Sequence, residues 1–138
     1  MTVSLSRKYV FFASHRLHSP LLSDEENRAT YGKCNNPEGH GHNYEVRLTV
    51  RGQVDPVTGR AVSIADLDRL AEEEILGPFR YRDLNREIAA VPTTENLGSE
   101  MESRLRTAWP RFFAPGGPQL ESISIWETER NICEIAVL

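Results

Sequence analysis

From residue 44 to 51 apolar and polar positions alternate without a break, with Val46, Leu48 and Val50 on one face and Glu45, Arg47, Thr49 and Arg51 on the other. A period of two is the mark of a half-buried β-strand. Residues 4–16 hold Tyr9, Val10, Phe11 and Phe12 with no Gly or Pro, and predict an earlier strand. Between the two, residues 19–43 are rich in Pro, Ser, Asp, Asn and Gly and show no clean period, so a long functional loop is expected there. After the turn signals Asp55-Pro56 and Thr58-Gly59 comes a short strand-like stretch, residues 61–64. Ser63 then reads as a helix N-cap with Asp66 at N3, and Ile64, Leu67, Leu70, Ala71 and Ile75 form an apolar stripe that Gly77-Pro78 should stop.

A polar connection over residues 79–94 precedes a second helix with the stripe Leu97, Met101, Leu105 and Ala108. Its exposed face carries the i,i+4 pairs Glu100/Arg104 and Glu102/Arg106, and Pro110 ends it. Strands over 120–128 and 132–137 follow, joined by a tight turn at 129–131. The order ββααββ predicts an α+β fold, a four-stranded antiparallel sheet with two helices on one face, as a single domain over residues 1–138. A sheet this small leaves long open edges, which pairing with further copies of the chain would close.

The 138 residues are 39% hydrophobic and 26% charged, which excludes a disordered or collagen-like chain. The formal net charge of −4 provides no drive toward nucleic acid or anionic lipid. No apolar run approaches the roughly 18 residues of a membrane span, and residues 1–20 lack the layout of a signal peptide. A cytoplasmic location is therefore expected, with Cys34 and Cys133 as thiols.

All four histidines lie in the first third of the chain. His40 and His42 are two apart at the entry to the alternating strand, so both imidazoles project from one face. His15 ends the preceding strand, and an antiparallel hairpin brings it alongside. Three neutral imidazoles suit Zn²⁺ and leave a position open for substrate. The alternative is two polar loop histidines and one core histidine; His18, three residues beyond His15, reads as a surface residue in either case. Cys34 follows Lys33 in a polar loop, where a lysine and a dication would lower its pKa and prepare it for proton transfer; a zinc-ligand role is the competitor. Cys133 reads as a strand side chain without chemistry. Glu127 shares strand parity with Ile123 and Ile125, and a carboxylate on that apolar face is a bidentate match for the ring N–H and exocyclic NH₂ of an amino-pyrimidine, unless the strand end simply faces water. Thr93, Thr94 and Glu95 are either helix caps or ligand-binding groups.

Phe12-Ala13-Ser14-His15-Arg16-Leu17, Gly32-Lys33-Cys34-Asn35-Asn36-Pro37, Gly39-His40-Gly41-His42-Asn43-Tyr44, Thr93-Thr94-Glu95-Asn96 and Trp126-Glu127-Thr128 together resemble the 6-pyruvoyl-tetrahydropterin synthase and 6-carboxytetrahydropterin synthase family over nearly the whole chain. The resemblance implies the tunnelling fold, in which trimers close their sheets into a barrel and two trimers stack as a homohexamer with sites between neighbouring subunits. It implies zinc on His15, His40 and His42, a pterin ring on Glu127 with help from Thr94 and Glu95, and Cys34 as a proton-transfer residue. The implied reaction converts 7,8-dihydroneopterin triphosphate to 6-pyruvoyl-tetrahydropterin, or to the 6-carboxy product in relatives, with loss of triphosphate.

One segment departs from the pattern. Where the family usually has Leu-Asp-His, the chain has Phe79-Arg80-Tyr81, so Arg80 and Tyr81 replace the pair that polarises the cysteine. Neither a phenol nor a guanidinium is a neutral-pH base, although Tyr81 can donate a proton and Arg80 can attract an anion. Three readings follow: a synthase with an altered relay, a zinc enzyme turned to another small substrate, or a pterin-binding module without turnover.

Overall fold

The computed structural model describes residues 1–138. One antiparallel sheet has the order β1-β2-β3-β4, formed by β1 (Thr2–His15), β2 (His40–Gln53), β3 (Gln119–Trp126) and β4 (Ile132–Ala136). In β1 and β2 the register pairs His15 with His40 and Ala13 with His42, so odd residues of β1 and even residues of β2 share one face. Phe11, Tyr44, Val46, Leu48, Ile123 and Ile125 of that face are buried beneath the helices. Full burial of each such side chain stabilises the fold by about 1.5–3 kcal/mol.

Two long helical elements supply the other half of the core. Helix α2 (Ile64–Ala71) begins on Ser63, whose hydroxyl accepts from the Asp66 N–H, and buries Leu67, Leu70 and Ala71. Gly77-Pro78 does not stop it. The chain widens into a π-turn over Glu72–Leu76, in which the Gly77 N–H reaches back to the Glu72 carbonyl, and runs on through α3 (Gly77–Phe79). That wider turn relieves the clash a proline ring makes with the carbonyl four residues back, and the helix ends when Arg80 turns extended. Helix α5 (Thr94–Ala108) buries Leu97, Met101 and Leu105, and its expected surface pairs form, Arg104 to Glu100 and Arg106 to Glu102, both at 2.9 Å.

Three expectations need correction. The loop over 19–43 contains a helix, α1 (Asp24–Tyr31), opened by a capping box between Ser23 and Glu26 and followed by a 3-10 turn, Gly32–Asn35. Its one buried residue is Asn27, whose amide bonds the carbonyls of Ser19, Leu22 and Ser23, so no apolar stripe announces it. Residues 61–64 form no strand, because Ser63 is the N-cap of α2 and Ile64 its first residue, which leaves too short a stretch to pair. The connection over 79–94 is not uniformly polar: Phe79, Leu84 and Ile88 are buried, and α4 (Leu84–Glu87) forms within it.

Strands β1 and β4 are the sheet edges. Part of the β1 edge is covered by the segment after α3: the Tyr81 N–H donates to the Phe12 carbonyl at 2.7 Å, and the Ser14 N–H donates to the Arg82 carbonyl at 3.0 Å. No helix is long and apolar enough to cross a membrane.

Candidate functional site

The three histidines converge at the end of the sheet where β1 finishes and β2 begins. His15 Nε2 lies 3.1 Å from His40 Nε2, which lies 2.9 Å from His42 Nε2. Three Nε2 atoms around one tetrahedral ion with bonds of about 2.0–2.1 Å would stand about 3.3 Å apart, close to this spacing. The register explains the convergence, since the β1–β2 ladder places His15 opposite His40 and Ala13 opposite His42 on the same face.

His15 is buried, and its Nδ1 lies 2.9 Å from the carbonyl oxygen of Pro92. A carbonyl can only accept, so Nδ1 carries the proton and Nε2 keeps its lone pair for an ion. The buried Tyr44 hydroxyl lies 3.3 Å from the same Nδ1. Burial pushes the pKa values of His15 and His42 below the ordinary imidazole value, against smaller upward pulls from the Pro92 carbonyl and then Glu127 on His15, and from Glu127 on His42. Both rings are therefore held neutral, the form that ligates metal. The donor set fits a divalent metal ion.

Glycine is required twice beside these histidines. Gly39 has φ +72°, and its Cβ position lies 2.9 Å from the His15 carbonyl oxygen. At Gly41, between His40 and His42, a Cβ would collide with the Phe12 ring on the opposite face of the sheet.

Glu127 lies on the helix-covered face, as its parity predicts. Its carboxylate is 3.9 Å from His42 Nε2, and its side chain is only 10% exposed. Asn131 Nδ2 approaches it at 3.4 Å across the turn. Cys34 sits in the 3-10 turn, which Asn35 ties down by donating from Nδ2 to the Leu17 carbonyl at 2.8 Å and toward His18 Nδ1 at 3.1 Å. His18 is thus a half-buried support of that turn rather than a free surface residue. The expected lowering of the Cys34 pKa does not occur in the chain itself. Burial, followed by the Glu127 carboxylate, pushes the thiol up, and Lys33 is exposed.

Thr93, not Thr94, caps α5, with its hydroxyl accepting from Asn96 N–H at 3.2 Å. Thr94 is buried and donates to Glu95 at 2.6 Å. Cys133 stands beside this pair, its thiol raised by burial and then by the Glu95 carboxylate. Arg80 holds Glu72 through both terminal nitrogens at 3.0 Å. Tyr81 has φ +58° and a side chain without a hydrogen-bond partner in the chain, at 79% exposure.

The family model described as 6-pyruvoyl tetrahydropterin synthase matches residues 4–137. The chain belongs to that family. It is 44% identical over 132 residues to a 6-pyruvoyl tetrahydrobiopterin synthase of Poecilia reticulata, covering 93% of this chain and 86% of that protein. It is 42% identical over 132 residues to the human protein of the same name, covering 93% and 87%. The solved structure of 6-pyruvoyl tetrahydropterin synthase from Caenorhabditis elegans superposes with a TM-score of 0.86 at 35% identity, covering 99% of this chain and 96% of that one.

Within this family member, the expected residues fall into three groups. His15, His40, His42, Glu127 and Cys34 gather at one end of the sheet. Thr94 and Glu95 adjoin it through the Pro92 loop, while Arg80 and Tyr81 stand apart along the β1 edge. Tyr44 and the Pro92 carbonyl join the site without a motif of their own in the sequence. Tyr44 shares the parity of His40 and His42, which is the one signal for it, whereas a backbone carbonyl leaves none in the sequence.

Proposed function

We propose that the protein is a zinc-dependent synthase that converts 7,8-dihydroneopterin triphosphate to 6-pyruvoyl-tetrahydropterin, or to 6-carboxytetrahydropterin, with release of triphosphate. The observation that carries this reading is the convergence of three histidine Nε2 atoms beside the nearly buried Glu127 carboxylate. Zinc held there would act as a Lewis acid on the substrate's side-chain hydroxyls and acidify the neighbouring C–H bond.

The chain's own residues supply the remainder. Glu127 accepts hydrogen bonds from the ring N–H and the exocyclic amino group, fixing the pterin in its plane. Pro92 and Tyr44 hold the His15 ring in its ligating orientation. Cys34 exchanges the proton at the side-chain carbon; burial and Glu127 push its thiol pKa up, which favours the donor form, and a bound cation would oppose that rise and favour the thiolate needed for abstraction. For the pyruvoyl product the rearrangement is internal to the substrate and calls for no external oxidant; the carboxy product also takes up one water and releases the two outer side-chain carbons as acetaldehyde.

Arg80 and Tyr81 form an altered relay. Arg80 is engaged by Glu72, so Tyr81, held outward by its backbone bond to Phe12, is the member free to act, on a site shared with a neighbouring copy in a homohexamer. Incubating the zinc-loaded protein with 7,8-dihydroneopterin triphosphate and identifying the pterin by chromatography with mass detection tests the reading. A pyruvoyl or carboxy product supports it, and recovery of intact substrate refutes it.

A further inference from the structure

Arg16 follows the metal-facing His15 and is fixed at three points. Asn85 clamps its backbone, Oδ1 accepting from the Arg16 N–H at 2.7 Å and Nδ2 donating to the Arg16 carbonyl at 2.8 Å. Its Nε donates to the Asn35 carbonyl at 3.1 Å. Its terminal nitrogens have no carboxylate partner, whereas Arg7, Arg51, Arg80 and Arg111 each reach an acid within 3.0 Å.

The Arg16 side chain walls a cleft of about 330 Å³ together with Asp24, Arg28, Lys33, Asn35 and Asn36. No ion pair engages Arg28 or Lys33 either. The cleft therefore gathers three cations against one carboxylate, in a chain of formal net charge −4. It also borders the chemistry. Lys33 and Asn35 flank Cys34, and Arg16 and Pro37 line the adjoining cleft beside His15 and Gly39 as well.

Clustered cations repel one another, and an anion bearing several charges relieves that repulsion better than a monoanion. The planar guanidinium fork matches phosphate oxygens, and the lysine adds a point charge. We propose that this cleft is a polyphosphate subsite, in which Arg16, Arg28 and Lys33 seat the anionic tail of the substrate whose ring lies on Glu127. The proposal rests on the synthase reading above and deepens it. When the C–O bond to the tail breaks, its electron pair stays with the departing triphosphate, and the same three cations stabilise the added charge.

Calorimetric titration of the full, zinc-loaded protein with inorganic triphosphate tests the subsite, with inorganic phosphate as the comparison. Triphosphate should bind more tightly than phosphate and weaken as salt rises. In Arg28→Ala/Lys33→Ala, two exposed positions, its Kd should rise at least about tenfold while zinc content and Tm stay unchanged. The same variant should lose about tenfold in kcat/KM for the triphosphate ester and keep its affinity for 7,8-dihydroneopterin lacking phosphate. Unchanged triphosphate affinity in the variant overturns the subsite. Weakened triphosphate affinity with unchanged kcat/KM also overturns it, by making the cleft a site for free polyphosphate. A wild-type protein without turnover, whose triphosphate affinity still falls in the variant, refutes the synthase reading and retains the cleft as a polyanion site.

Discussion

The Nδ1 of His15 and the carbonyl oxygen of Pro92 lie 2.9 Å apart, tying the end of β1 to the loop that enters α5. The contact selects the tautomer that turns the Nε2 lone pair toward His40 and His42. A ligand pre-set in this way makes the triad act as one unit. His42→Ala should lower bound zinc from about one per chain to below about 0.1 after gentle dialysis, read by elemental analysis. Full retention of zinc in that variant would place the metal elsewhere.

Burial is the main cause holding His15 and His42 below the ordinary imidazole pKa. A histidine with a lowered folded-state pKa binds fewer protons folded than unfolded. Its contribution is complete above the unfolded value, near 6.5, and stability is lost as pH falls from there toward the lowered folded value. The Tm of the zinc-stripped protein should therefore decline as pH drops from about 7 to 5, and His15→Gln should flatten that decline. A profile that is flat in the wild type contradicts the assignment.

Gly41 lies under the Phe12 ring, between His40 and His42 of the histidine triad. Gly41→Ala must displace that ring or bend β2, at a cost of about 1–3 kcal/mol. Because bending β2 splays His40 from His42, zinc affinity should fall several-fold as well. Competition with a chromogenic chelator measures this. The double variant Gly41→Ala/Phe12→Ala should recover most of the affinity.

Tyr81 occupies the left-handed region, where histidine is better tolerated than a bulky aromatic. Arg80→Asp/Tyr81→His should accordingly fold without added backbone strain and place a neutral-pH base on the β1 edge. Triphosphate release should rise at least about tenfold, and its pH optimum should move toward the imidazole range. A variant slower than the wild type would show that Arg80 and Tyr81 serve a different substrate.

Elements whose burial follows a regular period are legible in the sequence. The alternation through Val46, Leu48 and Val50 identifies β2, and the stripes of Leu67, Leu70 and Ile75 and of Leu97, Met101 and Leu105 identify the helical layer. His-Gly-His read with a hairpin predicts the triad, because register follows from strand parity. Helix α1 escapes that logic, since it is anchored by the amide of Asn27 instead of an apolar face. Only the Ser23–Glu26 capping box marks it. The passage of α2 through Gly77-Pro78 is invisible to pattern, because a π-turn absorbs the proline. The upward shift of the Cys34 thiol in the metal-free chain is not legible in the sequence, because it comes first from burial and then from Glu127, distant along the chain, whereas the neighbouring Lys33 is exposed.

Zinc-dependent synthase activity through Cys34 is tested most directly by the rate of triphosphate release from 7,8-dihydroneopterin triphosphate by zinc-loaded wild-type protein, zinc-stripped protein and zinc-loaded Cys34→Ala. Steady turnover is expected in the first, loss on stripping with recovery when zinc is restored in the second, and at least about a hundredfold loss in the cysteine variant. Turnover that survives both changes, or its absence from the zinc-loaded wild type, would contradict it.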